Sequence, residues 1–144
     1  MKILYVCIVL FFAFELVSPN VLIGQSVAAR DTTTFAQVIF EESEFNFGDL
    51  YQGQKAHHIF WFKNSGNSNL VLNNVLSTCG CTVPEWPKEP ILPDSVGEIK
   101  VLFDSTSKIG RQNKVITIRS NSKQGDYRIR ISAMVLPPDK SKNK

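Results

Sequence analysis

The stretch that decides the fold class is Tyr127-Arg128-Ile129-Arg130-Ile131-Ser132-Ala133-Met134-Val135. Tyr127, Ile129, Ile131, Ala133 and Val135 recur at every second residue, and Arg128, Arg130 and Ser132 fill the places opposite. A repeat of two sends successive side chains to opposite faces, so the stretch is a strand with one face inside and one in water. The same repeat runs back along the chain. Ile116 and Ile118 follow Gly110, and Ile99, Val101 and Phe103 follow a Pro93-Asp94-Ser95 turn. Leu70 and Leu72 lie between the Asn64-Ser65-Gly66-Asn67-Ser68-Asn69 turn and Asn73-Asn74. In residues 56–62, His58, Phe60 and Phe62 share one face while His57, Ile59 and Trp61 share the other. Phe45 and Phe47 alternate around Asn46 and stop at Gly48, and Val38-Ile39-Phe40 reads as a first edge strand.

No stretch shows the 3.6 period of an amphipathic helix. About seven short alternating strands separated by turn chemistry predict an all-β antiparallel β-sandwich or barrel. The inward residues are expected to be Phe47, Phe60, Phe62, Leu70, Leu72, Val101, Phe103, Ile116, Ile118, Ile129 and Ile131. Pro84, Pro87, Pro90 and Pro93 are too dense for a central strand, so residues 84–93 are predicted to be an extended loop crossing between the sheets.

The chain has 144 residues, enough for one domain, and 43% of them are hydrophobic, ordinary for a globular protein. Sixteen Lys and Arg against thirteen Asp and Glu leave +3, too mild to argue for a nucleic-acid partner. Lys2 is followed by an apolar run over residues 3–16, interrupted by Glu15. A short basic start and a run of that length read as a secretory signal peptide, since a membrane span wants about 20 apolar residues. Cleavage is expected within residues 24–29, leaving no stable membrane span. The organisation predicted is a signal peptide and cleavage region over 1–28, a polar lead-in over 29–37, the sandwich over 38–136 and a basic disordered tail over 137–144. The protein is thus expected to be exported, periplasmic or secreted.

Cys7 lies in the apolar run without a small-residue lipidation motif before it, so Cys79 and Cys81 are the cysteines of the mature chain. Two strand steps span about 6.6 Å between Cα atoms, the long edge of what a disulfide accepts. A Cys79–Cys81 bridge therefore needs a pinch at Gly80, and it would close a very small, strained ring. Three readings stay open. The leading one makes the pair structural, free or bridged, fixing the corner before Pro84. The second is a two-thiolate chelate of the Cu(I) type, with His58 or His57 as a third ligand. The third is thiol–disulfide exchange, although the Cys-x-x-Cys spacing of the redox motif proper is missing. Trp86, flanked by Pro84 and Pro87, is expected to pack over its own loop, whereas Trp61 faces away from Phe60 and Phe62. Glu41, Glu42 and Glu44 read as a solvated edge.

Cys79-Gly80-Cys81-Thr82-Val83-Pro84-Glu85-Trp86-Pro87 resembles a bacterial envelope family, domain-of-unknown-function number 1573. Phe45-x-Phe47-Gly48, Phe60-x-Phe62-x-Asn64-x-Gly66 and Gly97-Glu98-Ile99-x-Val101-x-Phe103-Asp104-Ser105 carry the likeness further, over residues 39–136. The family is similar to immunoglobulin-like modules of the abnormal-spindle, hydin and major-sperm-protein type. The resemblance implies an immunoglobulin-like antiparallel β-sandwich and export, and no activity. One departure is Asp94-Ser95, where the family commonly has Gly after the Pro. No Gly-x-Ser-x-Gly, His-Glu-x-x-His, phosphate-loop or dinucleotide motif occurs, so no catalytic residue and no cofactor are predicted. The function expected is that of an exported, non-catalytic module with a protein partner in the envelope. The alternative is a metal-handling or thiol-active protein built on Cys79 and Cys81.

Overall fold

The computed structural model describes residues 33–139. The expected signal peptide and the end of the tail, residues 140–144, lie outside the described residues. The strands are β1 (Val38–Phe40), β2 (Glu44–Tyr51), β3 (Lys55–Asn64), β4 (Leu72–Ser77), β5 (Thr82–Glu85), β6 (Val96–Asp104), β7 (Gly110–Ser120) and β8 (Tyr127–Leu136). They form two four-stranded sheets, β1-β3-β6-β5 and β2-β8-β7-β4. The all-β immunoglobulin-like sandwich is therefore present. Among the described residues no helix is long and apolar enough to cross a membrane.

Three features differ from the expectation. The strands number eight in place of about seven, because residues 82–85 form β5, with Pro84 opposite Val101. That strand has a neighbour on one side only, where a missing N–H is tolerated. β2 runs parallel to β8, whereas every other strand pair is antiparallel. Alternation fixes which side a residue faces and carries no information on the direction of the neighbouring strand. Residues 78–81, between β4 and β5, cross between the sheets, as do the β1–β2, β2–β3, β3–β4 and β6–β7 connections. The proline segment instead returns from β5 to β6 within one sheet. Proline density excludes a ladder; it does not mark a change of sheet.

The core lies between the sheets. Every expected core residue is buried except Phe47. Fully burying one such side chain contributes about 1.5–3 kcal/mol. Phe47 is half-buried because β2 is an edge strand; its ring stacks on Phe103 with centroids 6.2 Å apart. The packed structure also begins before Val38. Ala36 is 2% exposed and bridges Ser122, so the end of the lead-in belongs to the fold. Gly66 has to be glycine, since a Cβ there would run into the backbone of residues 35–37.

Two buried polar residues tie the loops to this core. Asn64 accepts from the N–H groups of Gly66 and Gln37 at 3.1 and 3.3 Å, and donates to the carbonyls of Ser68 and Ile91 at 2.8 and 2.9 Å. It thus fixes β1, the 64–69 turn and the proline segment together, more than the local turn role that Asn at a strand end suggests. Ser105 Oγ lies 3.0 Å from the Tyr51 carbonyl and 2.7 Å from that of Gln54, closing the β2–β3 turn onto the end of β6. Asp94, at the family's glycine position, has φ 61°, the left-handed conformation that Gly adopts freely and Asp tolerates.

Candidate functional site

The cysteine motif forms the crest of the crossing turn. Upstream, the Thr78 N–H donates to the Val115 carbonyl at 3.1 Å, and the Val115 N–H donates to Thr78 Oγ1 at 3.3 Å. Within the turn, the Thr82 N–H donates to the Cys79 carbonyl at 3.3 Å. Downstream, the Asp104 N–H donates to the Cys81 carbonyl at 2.9 Å. Cys79 and Cys81 are joined in a disulfide with Cα atoms 5.3 Å apart, so the pinch demanded by the spacing is present. The expected role of Gly80 is not. Gly80 is outside the left-handed region, and a Cβ there would meet nothing within 4 Å. The 78–81 turn as a whole carries the bend, leaving Gly80 exposed on its crest.

A ring this small removes little disorder from the unfolded chain, about 1–2 kcal/mol by loop-closure entropy. The backbone hydrogen bonds hold the corner independently. Thr82 is 3% exposed, and its hydroxyl lies 3.7 Å from Cys79 Sγ and 4.0 Å from Cys81 Sγ. Neither sulfur of a disulfide carries a proton, so the hydroxyl is the donor. Cys81 packs against the core.

His58 is not brought to the cysteines. It sits opposite Val101 on β3, with β6 between it and β5. Its ring stacks on Phe45 at 3.5 Å and meets Phe60 edge-on at 4.7 Å, and its Nε2 is 2.6 Å from Glu42 Oε1. That is an aromatic core-edge histidine with a satisfied nitrogen. Among the described residues, no three His, Cys, Asp or Glu side chains are grouped to hold a metal. The acids near β1 are more engaged than a solvated edge suggests: Glu42 holds His58, and Glu44 holds Arg130 at 3.0 Å. Trp86 packs against the core, with Lys88 Nζ 3.0 Å above its ring and a buried Nε1 that has no hydrogen-bond partner among the described residues.

Alternation places Ile59 and Trp61 on an outer face, and the structure adds further apolar residues to it. The outer face of the β1-β3-β6-β5 sheet exposes Ile39, Ile59, Trp61, Val83 and Val96. Trp61 is 43% exposed. Register places Lys63 between Ile39 and Val96, and Lys100 between Ile59 and Glu85. A groove of about 300 Å³ runs there, lined by His57, Ile59, Val83, Glu85, Lys100 and Leu102. Lys100 bonds Glu98 at 2.9 Å, and that hydrogen bond raises the ammonium pKa above its ordinary value. The opposite outer face carries Arg111, Arg119, Arg128 and Arg130.

Two packed sheets with a β1-β3-β6-β5 and β2-β8-β7-β4 order define an immunoglobulin-like sandwich of the PapD-like kind. The family model described as protein of unknown function DUF1573 matches residues 38–135, and the chain belongs to that family. No curated protein matches the sequence. Among solved structures, a protein of unknown function from Porphyromonas gingivalis W83 is similar at TM-score 0.64 and 17% identity, covering 76% of this chain and 51% of that one. The present chain thus spans about half the length of that protein. The ASH/PapD-like domain of human CEP192 is similar at TM-score 0.62 and 8% identity, covering 73% of this chain and 89% of the domain. The secreted serine protease VesC of Vibrio cholerae is similar at TM-score 0.56 and 13% identity, over 74% of this chain and 25% of the protease. At these identities the likeness is one of fold alone.

Proposed function

We propose that the protein is an exported, non-catalytic module that binds a protein partner in the bacterial envelope, through the outer face of the β1-β3-β6-β5 sheet. The observation that carries this reading is the gathering of Ile39, Ile59, Trp61, Val83 and Val96 on that one face. Isolated exposed apolar residues are ordinary, but several gathered on one sheet face, here interspersed with charges, favour an interaction site. Trp is the residue most enriched among those that dominate binding energy. Lys63, Lys100, Glu85 and Glu98 supply the polar surround of such an interface.

A photo-reactive side chain placed at position 61, and separately at 128, in the native host tests the assignment. Position 61 should give a discrete protein adduct and position 128 none; the reverse pattern contradicts it. Export rests on Lys2 and the apolar run of residues 3–16. N-terminal sequencing of the native protein should begin between Gln25 and Asp31, and an intact Met1 on a cytoplasmic protein contradicts export.

A further inference from the structure

We propose that the Cys79–Cys81 disulfide is a thiol–disulfide exchange site that takes two electrons from a dithiol of another protein, with Thr82 positioned to hold the departing sulfur. This goes beyond partner binding and is carried by the crossing turn alone. Three observations converge. The corner is held by the Thr78–Val115, Cys79–Thr82 and Cys81–Asp104 backbone bonds, so opening the small ring leaves the crossing in place. The crest residue Gly80 is exposed, and the cysteines on either side of it are half-buried, so both are partly in contact with water. Thr82 is buried, and its hydroxyl has the two sulfurs as its hydrogen-bond partners. A buried hydroxyl aimed at a disulfide becomes a donor to whichever thiolate forms, and hydrogen bonding to the charged form favours it.

Both cysteines are half-buried, and Cys81 is the one packed against the core, so the attack is assigned to Cys79 Sγ. A partner thiolate attacks Cys79 Sγ and forms a mixed disulfide. The Cys79–Cys81 bond breaks, and its electron pair leaves on Cys81 Sγ. Thr82 Oγ1, 3.7 Å from Cys79 Sγ and 4.0 Å from Cys81 Sγ in the closed ring, turns its O–H to that thiolate once the ring has opened, until the thiolate takes a proton from water. The partner's second thiolate then attacks the partner's own sulfur in the mixed disulfide and expels Cys79 as a thiolate, which is protonated in turn. The partner's two thiols end as a disulfide, Cys79 and Cys81 end as thiols, and the two protons released by the dithiol balance the two taken up.

The experiment exposes the full folded chain to mixtures of reduced and oxidised glutathione in the millimolar range. Alkylation and mass measurement read the thiols, and circular dichroism reads the fold. The account expects both cysteines to become alkylatable while the fold signal is unchanged, since an unstrained structural disulfide resists this couple. Thr82→Val should react about tenfold more slowly, the effect of losing one hydrogen bond to a charged group, and Thr82→Ser should restore the rate. In the single variants, the Cys79 thiol of Cys81→Ser should alkylate faster than the Cys81 thiol of Cys79→Ser, a comparison that holds whether or not Thr82→Val folds. A pair that stays oxidised until the fold is lost overturns the proposal. So does a Thr82→Val chain that folds and reacts at the parent rate, and so do single-cysteine variants that alkylate equally fast.

Discussion

The outer faces of the two sheets are built on the same alternation and present opposite chemistry to water. On β3, the residues alternating with buried Phe60 and Phe62 are Ile59, Trp61 and Lys63; on β8, those beside buried Ile129 and Ile131 are Arg128 and Arg130. Both patterns satisfy a half-buried strand equally well, so the fold is indifferent to the choice. An arginine face stays solvated at no cost. A face with Trp61 and Ile59 leaves apolar surface in water, and a partner that covers it recovers that loss. What distinguishes the faces is therefore what they meet, and each substitution below asks whether the difference belongs to folding or to binding.

The largest effect is expected in the core that both faces share. Phe60→Ala or Phe62→Ala should cost about 3–5 kcal/mol in denaturant unfolding, because each leaves a cavity between the sheets. Both side chains are at most 1% exposed. A loss under about 1 kcal/mol for both would mean that the inner and outer faces of β3 had been interchanged.

Next comes the seam at the end of the apolar-faced sheet. Asn64→Ala removes the partners of two backbone N–H groups and two carbonyls and should cost about 2–3 kcal/mol. Hydrogen exchange should quicken at Gln37 and Gly66 while the amides of β7 and β8 keep their protection. Equal loosening of both sheets would show that Asn64 is not a local tie.

The smallest effect belongs to Asp94. The Lys63 ammonium, bonded to the Asp94 carboxylate at 2.8 Å, holds that carboxyl below the usual aspartate range. A group with a depressed folded pKa contributes stability above its unfolded pKa, about 3.9, and loses it as pH falls through the folded value. Asp94→Gly gives up this exposed pair and relieves the left-handed backbone. At neutral pH its melting temperature should equal or slightly exceed the parent's, and its stability should fall less steeply below about pH 4. A large loss at neutral pH would show that the carboxylate does more than tolerate the turn.

Much of this architecture is legible in the sequence, because alternation is local. The assignment of Phe60 and Phe62 to the inside, and of Trp61 to the outside, needs only seven consecutive residues, 56–62. What is not legible depends on distant partners. Glu42 meets His58 from 16 residues away, and Glu44 meets Arg130 from 86. The parallel β2–β8 pair and the placing of a sheet crossing at the cysteine turn are of the same kind. Gly80 invited a conformational explanation that its surroundings do not require, whereas Gly66, an ordinary turn residue by composition, is the one pressed against neighbouring backbone. The apolar face was visible at Ile59 and Trp61, since gathering Ile39, Val83 and Val96 beside them requires the register of four strands.

The most direct test of the central claim reads one adduct under two matched charge changes. A photo-reactive side chain at position 83, at the far side of the apolar face, reports the bound partner. The account predicts that Trp61→Glu lowers the adduct at least about tenfold, while Arg128→Glu leaves it unchanged and both chains keep the parent's unfolding midpoint to within about 0.5 kcal/mol. An adduct that survives Trp61→Glu, or one lost equally with Arg128→Glu, would contradict binding through the apolar face.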